Sequence, residues 1–237
     1  ILESAVGNLD TEVAVNVLPE GKITYKGNIA TEDSLDLMTI LGPEKKLGYS
    51  SFALHFRGTH IPGKSPEVYL QGALPTLQYS GYEYQNIRMD GIIGMGRFDG
   101  LLALDDENVS FNANGRVDFN GKVPVFNLTA HLNHFLPYNL HLTDSRQGHE
   151  YGMKMKARFS GNHIDNIDGQ LLIDSLTVIA PNECYFMDSL CIRAEKLNGR
   201  RKQLAVKGDF VDVVLDGEFA YTLLPVSFKR IVGKYFP

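Results

Sequence analysis

The residues of this chain that could do chemistry are few, and their spacing does not assemble a site. Three of its seven histidines, His131, His134 and His141, lie in HLNHFLPYNLHL. A three-residue interval joins two metal ligands on a helix, but along a strand it puts His131 and His134 on opposite faces. The surrounding Leu, Phe and Pro show no helical period, so no metal site is expected. The acidic trio Asp105, Asp106 and Glu107 precedes a strand-like run and reads as a solvated turn. Asp165 and Asp168 sit before a glycine, yet the ligand spacing and closing glutamate of an EF-hand are absent. Gly91, Gly94 and Gly96 form GIIGMG rather than GxGxxG, with no helix pattern after them and no Walker-type lysine. The sequons at Asn108 and Asn127 fall in strand-like segments, which argues against their use. No catalytic residue, metal or cofactor is assigned, and the chain is expected not to be an enzyme.

The bulk properties point the same way. The chain has 237 residues, 43% hydrophobic and 22% charged, which is enough apolar content for a folded protein. With 23 basic against 28 acidic residues the net charge is -5, so no nucleic-acid partner is expected. The densest basic stretch, Arg200, Arg201 and Lys202, follows Asn198-Gly199 and reads as a hairpin tip. The chain opens at Ile1 with neither a leader pattern nor an apolar run of about 20 residues, and is expected to be one segment of a longer protein. If residues 184–194 form one strand, seven steps of about 3.3 Å separate Cys184 from Cys191 by about 23 Å, beyond the ~7 Å a disulfide allows. Both then read as free, buried thiols. Only a turn at Met187-Asp188-Ser189 would bring them together.

What must position any site is β-structure. Met153, Met155, Ala157 and Phe159 alternate with Lys154, Lys156 and Arg158. Similar runs follow at Ile167–Ile173, Leu204–Phe210 and Val211–Phe219, and one precedes them at Ile23–Ile29. Period two with one dry and one wet face is the mark of a sheet covered on a single side. Turn pairs recur about every ten residues, among them Pro19-Glu20-Gly21, Asp99-Gly100, Asn120-Gly121, Asp168-Gly169 and Asp216-Gly217. Asn114-Gly115 and Asn198-Gly199 carry the strongest hairpin signal, while glycines inside strand patterns imply bulges or bends. Helix is confined to residues 33–41, stopped by Gly42-Pro43, and to 225–235. In the latter, Phe228, Ile231, Val232 and Tyr235 make an amphipathic cap. The strand pattern lapses between residues 30 and 51, where a boundary inside this single segment is expected. So many dry faces with so little helix leave two solutions: facing sheets, or one sheet curled around an apolar interior.

The stretches GYEYQNIRMDG (81–91), GRFDGLLALDDENVSFNANGRVDF (96–119), PVFNLTAHL (124–132), KARFSGNHIDNIDGQLLIDSL (156–176) and LAVKGDFVDVVLDGEF (204–219) carry a rhythm of Gly, Asn and Asp turns between aromatic strands. That rhythm resembles the periplasmic β region of TamB-like proteins of Bacteroidetes-type bacteria, part of the wider AsmA-like group of bridge-type lipid-transfer proteins. The resemblance covers about residues 12–237 and implies an all-β fold, an elongated curled sheet or β-taco with one or two short helices. It also implies a periplasmic rod, anchored in the inner membrane of a Gram-negative bacterium by a segment outside this chain. Elsewhere in the full-length protein, the rod would meet an outer-membrane barrel of the TamA or BamA type. The implied activities are movement of phospholipid between membranes or assistance to outer-membrane protein assembly.

A lipid conduit needs no catalytic group. Exposing an acyl chain to water costs about 0.8 kcal/mol per CH₂, more than ~10 kcal/mol for some sixteen carbons, and a continuous apolar strip removes most of that barrier. The residues expected to line it are Phe98, Leu102, Leu104, Val109, Phe111, Met155, Phe159, Leu171, Ile173, Val206 and Val213. A second reading is a module that holds unfolded outer-membrane strands on open sheet edges. A third, a carbohydrate-active β-solenoid, would need clustered carboxylates, for which Asp165, Asp168 and Asp174 are the only near candidates.

Overall fold

The computed structural model describes residues 5–144, 147–224, 226–227 and 230. They form one open antiparallel sheet of fifteen strands. In chain order these are β1 (Leu9–Val17), β2 (Ile23–Thr31), β3 (Leu35–Asp36), β4 (Leu47–His60), β5 (Glu67–Tyr79), β6 (Tyr82–Gly94), β7 (Arg97–Asp105) and β8 (Val109–Asp118). Then come β9 (Val125–Phe135), β10 (Glu150–Ser160), β11 (Asp168–Ala180), β12 (Glu183–Met187), β13 (Leu190–Lys196), β14 (Lys202–Gly208) and β15 (Val211–Gly217). The strands follow one another across the sheet almost without exception. Only β3, beside β4, and β12, beside β11, lie off the main path. Thirteen strands spaced about 4.8 Å apart make the sheet roughly 58 Å wide.

The sheet has no second layer of comparable extent. The accessible surface is 15498 Å², whereas a compact protein of this size would expose about 10,600 Å². Among the described residues only six hydrophobic ones are buried. The facing-sheet alternative is therefore excluded for the described residues, and the curled single sheet holds. Sheets and turns account for almost everything else. The α-helix α1 (Leu37–Leu41) is capped by Asp36, whose carboxylate accepts from Thr39 N at 3.1 Å, and it stops at Gly42. Residues 33–36, expected as its first turn, instead lead into β3, because Leu35 and Asp36 pair with Ser50 and Tyr49. The segment from β3 to α1 leaves the end of the sheet, while β2 pairs directly with β4, so the sheet is continuous across residues 30–51. The apolar positions of the expected second helix, Phe228, Ile231, Val232 and Tyr235, lie outside the described residues.

The turn signals divide sharply. Asn198-Gly199 does lie in the β13–β14 connection, closed by Leu197 N donating to Arg201 O at 2.9 Å. Asn114-Gly115 and Asp99-Gly100 are not turns: both lie inside strands, with Gly100 opposite Gly115. The β5–β6 hairpin instead turns at Ser80-Gly81, where both residues have positive φ, 52° and 84°. Two left-handed residues are what a two-residue hairpin with the correct twist requires.

The cysteines are also placed differently. Residues 184–194 are not one strand, because Asp188 and Ser189 break it, and Cys184 and Cys191 lie opposite Ile179 and Leu172 of β11. Both thiols are free, but Cys184 is exposed rather than buried.

Candidate functional site: the apolar face of the sheet

The pairing register fixes which side chains share a face, since directly opposed residues point the same way and alternate residues point oppositely. One row runs Val68, Ile93, Phe98, Val117, Phe126, Phe159, Gly169, Ala194, Leu204 and Leu215 from β5 to β15. The next runs Leu70, Gly91, Gly100, Gly115, Leu128, Ala157, Leu171, Ile192, Val206 and Val213. A third holds Leu102, Ala113, Ala130, Met155, Ile173 and Leu190, and a fourth Leu104, Phe111, Leu132, Met153 and Leu176. Val109, opposite Phe135, continues the same side. All eleven candidate lining residues therefore lie on one face, in apolar rows that cross the strands. Apart from Leu104 and Val109, which are buried, they are half-buried or exposed, Val213 at 40%.

Small residues and rings shape this face. Phe126 stacks on Phe159 with ring centroids 4.6 Å apart, and Phe119 meets Phe126 edge-on at 6.0 Å. Beside that ladder, Gly91, Gly100 and Gly115 form a strip without side chains. A methyl at Gly100 would lie 2.3 Å from Asp90 O and 2.4 Å from the Gly91 Cα. Neighbouring backbones thus approach more closely than any larger residue allows, and the Phe98 ring covers Gly91 from the adjacent row. In the sequence Gly100 and Gly115 read as turn or bend residues, and Gly91 only as part of GIIGMG. Their in-register stacking over three strands is a tertiary fact that no local signal carries.

One rim of the face is closed by a small core. Leu140, in the β9–β10 connection and 2% exposed, packs with Leu104 and Val109, ringed by Tyr82, Tyr84, Ile87, Phe111, Leu132 and Phe135. Asp106 holds this rim together. Expected as part of a solvated turn, it is 6% exposed. Its carboxylate accepts from the Tyr82 hydroxyl at 2.5 Å, from Asn108 N at 2.9 Å and from Gln85 N at 3.0 Å. Burial, then the hydrogen bond to the Asp106 carboxylate, pushes the Tyr82 hydroxyl up to about 12. The carboxylate earns its burial by satisfying three donors, which explains why an acidic residue can sit there.

The opposite face is polar. Arg57, Arg116, Asn127, Lys156 and Arg158 lie on it, with ion pairs such as Arg116 to Asp118 at 2.8 Å and Lys156 to Asp174 at 3.5 Å. His131 and His134 both belong to this face, contrary to the alternation argument. A bulge inserts Asn133, so that His131 opposes Asn112 and His134 opposes Ser110. His134 Nε2 then lies 3.0 Å from the Asp106 carbonyl. Among the described residues no three His, Cys, Asp or Glu side chains gather as a metal site would require. Asp165, Asp168 and Asp174 are engaged separately, by Thr222, by Lys196 N and by Lys156. A concavity of about 800 Å³ opens on this polar side between Arg57, Lys64, Glu67 and Tyr69.

Comparison with known proteins finds no matching family model, curated protein or solved structure. No helix among the described residues is long and apolar enough to cross a membrane.

Proposed function

We propose that this chain is a segment of a TamB-like envelope-biogenesis protein whose apolar face carries phospholipid acyl chains between the inner and outer membranes. The observation that supports this reading most is the shared face. Apolar rows run across the strands of one uncovered sheet without a charged interruption, and the polar side chains are on the other side. An acyl chain lying along such rows exchanges water for hydrocarbon contact, at about 0.8 kcal/mol per CH₂, and moves between equivalent positions without covalent chemistry. The reading places the chain in the periplasm, in a protein anchored in the inner membrane. It leaves contact with a TamA- or BamA-type barrel to parts of the full-length protein outside this segment. Native mass spectrometry and lipid extraction of the purified chain test it: co-purifying phospholipid is expected, and a lipid-free chain that also takes up none from vesicles contradicts it.

A second reading is supported by the terminal strands. β1 exposes Val13, Val15 and Val17 at 54%, 58% and 75%, and its outer edge pairs with nothing among the described residues. An unbulged nine-residue edge is a template for strand addition. Holding of outer-membrane strands there would show as protection of the β1 amides on mixing with an unfolded outer-membrane protein.

A further inference from the structure

Besides its two ends, the sheet has an open edge in its interior. β11 has thirteen residues and needs two partners along the same side: β13 pairs with residues 169–173 and β12 with residues 176–180. Between them the chain steps aside at Asp188 and Ser189. The Asp209 carboxylate pins the step, accepting from Asp188 N at 2.6 Å and from Ser189 N at 3.4 Å. β14 lies between β13 and β15, reaches no residue of β12 and ends at Gly208, opposite Leu190. The outer side of β12 therefore faces no strand, and β12 pairs with β11 alone.

This notch is built as a slot. A cavity of about 420 Å³ adjoins the open edge, lined by Leu176, Val178, Tyr185, Met187 and Phe210. Phe210, on the β14–β15 turn that bounds the slot, is 82% exposed, and Tyr185 and Phe186 of β12 are 57% and 56% exposed. The rim is acidic. Glu183, whose carboxylate accepts from the Tyr185 hydroxyl, stands at one end of β12 and Asp188 with Asp209 at the other, none of them within 4 Å of a cation among the described residues.

We propose that the β12 edge is a docking slot for a short extended peptide segment of a partner protein, with one large apolar side chain flanked by basic residues. Each part of the slot selects for that chemistry. The free N–H and C=O groups of the edge require a backbone, which an acyl chain cannot supply. The five residues of β12 offer about 17 Å of pairing, so a short strand suffices. The cavity takes one aromatic or long aliphatic side chain, and the positions two residues to either side of it, on the same face, set Lys or Arg against the acidic rim. A second copy of the chain is disfavoured, because it would bring the same carboxylates together on a molecule of net charge -5. The inference does not depend on lipid transport and stands or falls separately.

The test uses the 237-residue chain and a capped seven-residue peptide with phenylalanine at its centre, lysine two residues to either side and threonine at the other positions. Binding is followed by fluorescence anisotropy and by hydrogen exchange. Saturable binding is expected, with amide protection confined to residues 183–187. N-methylation of the peptide backbone abolishes it, and Phe210→Asp weakens it at least about tenfold while leaving the circular dichroism unchanged. Glu183→Lys reverses the preference, so that a peptide with glutamate in place of lysine binds better than the original. The proposal is overturned by absence of binding, by equal binding of the N-methylated peptide or to Phe210→Asp, or by protection along β1 or β15 instead. It is equally overturned if β12 is already protected by self-association at the concentrations used.

Discussion

Replacing Phe159 by glutamate and, separately, Leu104 by glutamate asks the same question at two points of one face. Phe159 is half-buried and its ring stacks on Phe126 at 4.6 Å. Loss of the stack removes about 0.5–1.5 kcal/mol, and loss of half the burial of a large apolar side chain a further ~1 kcal/mol. The new carboxylate reaches water across the open face and adds no large desolvation penalty, so Phe159→Glu should destabilise by about 1–3 kcal/mol. Leu104 is 7% exposed inside the cluster with Val109 and Leu140. A carboxylate buried in that apolar cluster should destabilise by more than about 4 kcal/mol. With a urea slope of about 2 kcal/mol per molar, the midpoint by far-UV circular dichroism moves by about 1 M for the first variant and by about 2 M or more for the second. If Phe159→Glu unfolds the chain as Leu104→Glu does, the face is covered at Phe159 and the open-groove argument fails there.

Removing the Asp106 carboxylate with Asp106→Ala leaves the Tyr82 hydroxyl and two backbone N–H groups without their acceptor, and about 3–5 kcal/mol of stability should be lost on thermal unfolding. Alkaline titration should find Tyr82 ionising near 12, above the ordinary tyrosine range. Because its folded-state value is raised to about 12 above an unfolded value near 10, the stabilisation is complete below pH ~10 and lost between there and pH ~12. Absorbance-monitored unfolding of Tyr82→Phe should lose that alkaline component. Hydrogen bonds from the Thr222 backbone and hydroxyl hold the Asp165 carboxyl below its usual range. The tether is therefore complete above pH ~4 and is lost as the pH falls through the lowered value. The protection factor of the Thr222 amide should fall there, and in Asp165→Asn it should not change over the same pH range. Gly100→Val should force β6 and β7 apart against Asp90 O and Gly91, giving a loss of several kcal/mol measured by urea unfolding.

The legible part of this fold is what period two encodes. The run from Met153 to Phe159 is β10, with its lysines and Arg158 on the polar face, and the candidate lining residues were found from the same alternation. The illegible part is set by partners distant in sequence. Asn114-Gly115 has the chemistry of a hairpin turn, but Gly115 faces Gly100 on one side and Leu128 on the other, and pairing along whole strands outweighs a local turn preference. The break between Cys184 and Cys191 is made by Asp209, some twenty residues away. The buried Asp106 reads as a surface acid until Tyr82 and Gln85 are brought to it from another strand. A one-residue bulge at Asn133 reverses the face predicted for His134.

The central claim is that lipid lies along one face of this sheet and not the other. A photo-crosslinking amino acid introduced in turn at Phe98, Phe159 and Val206, and at Asn114, Lys156 and Lys207 on the polar face, tests it in the chain incubated with radiolabelled phospholipid vesicles. The account predicts labelled adducts at the first three positions and none above background at the last three. Equal labelling of both faces, or labelling of neither, contradicts it.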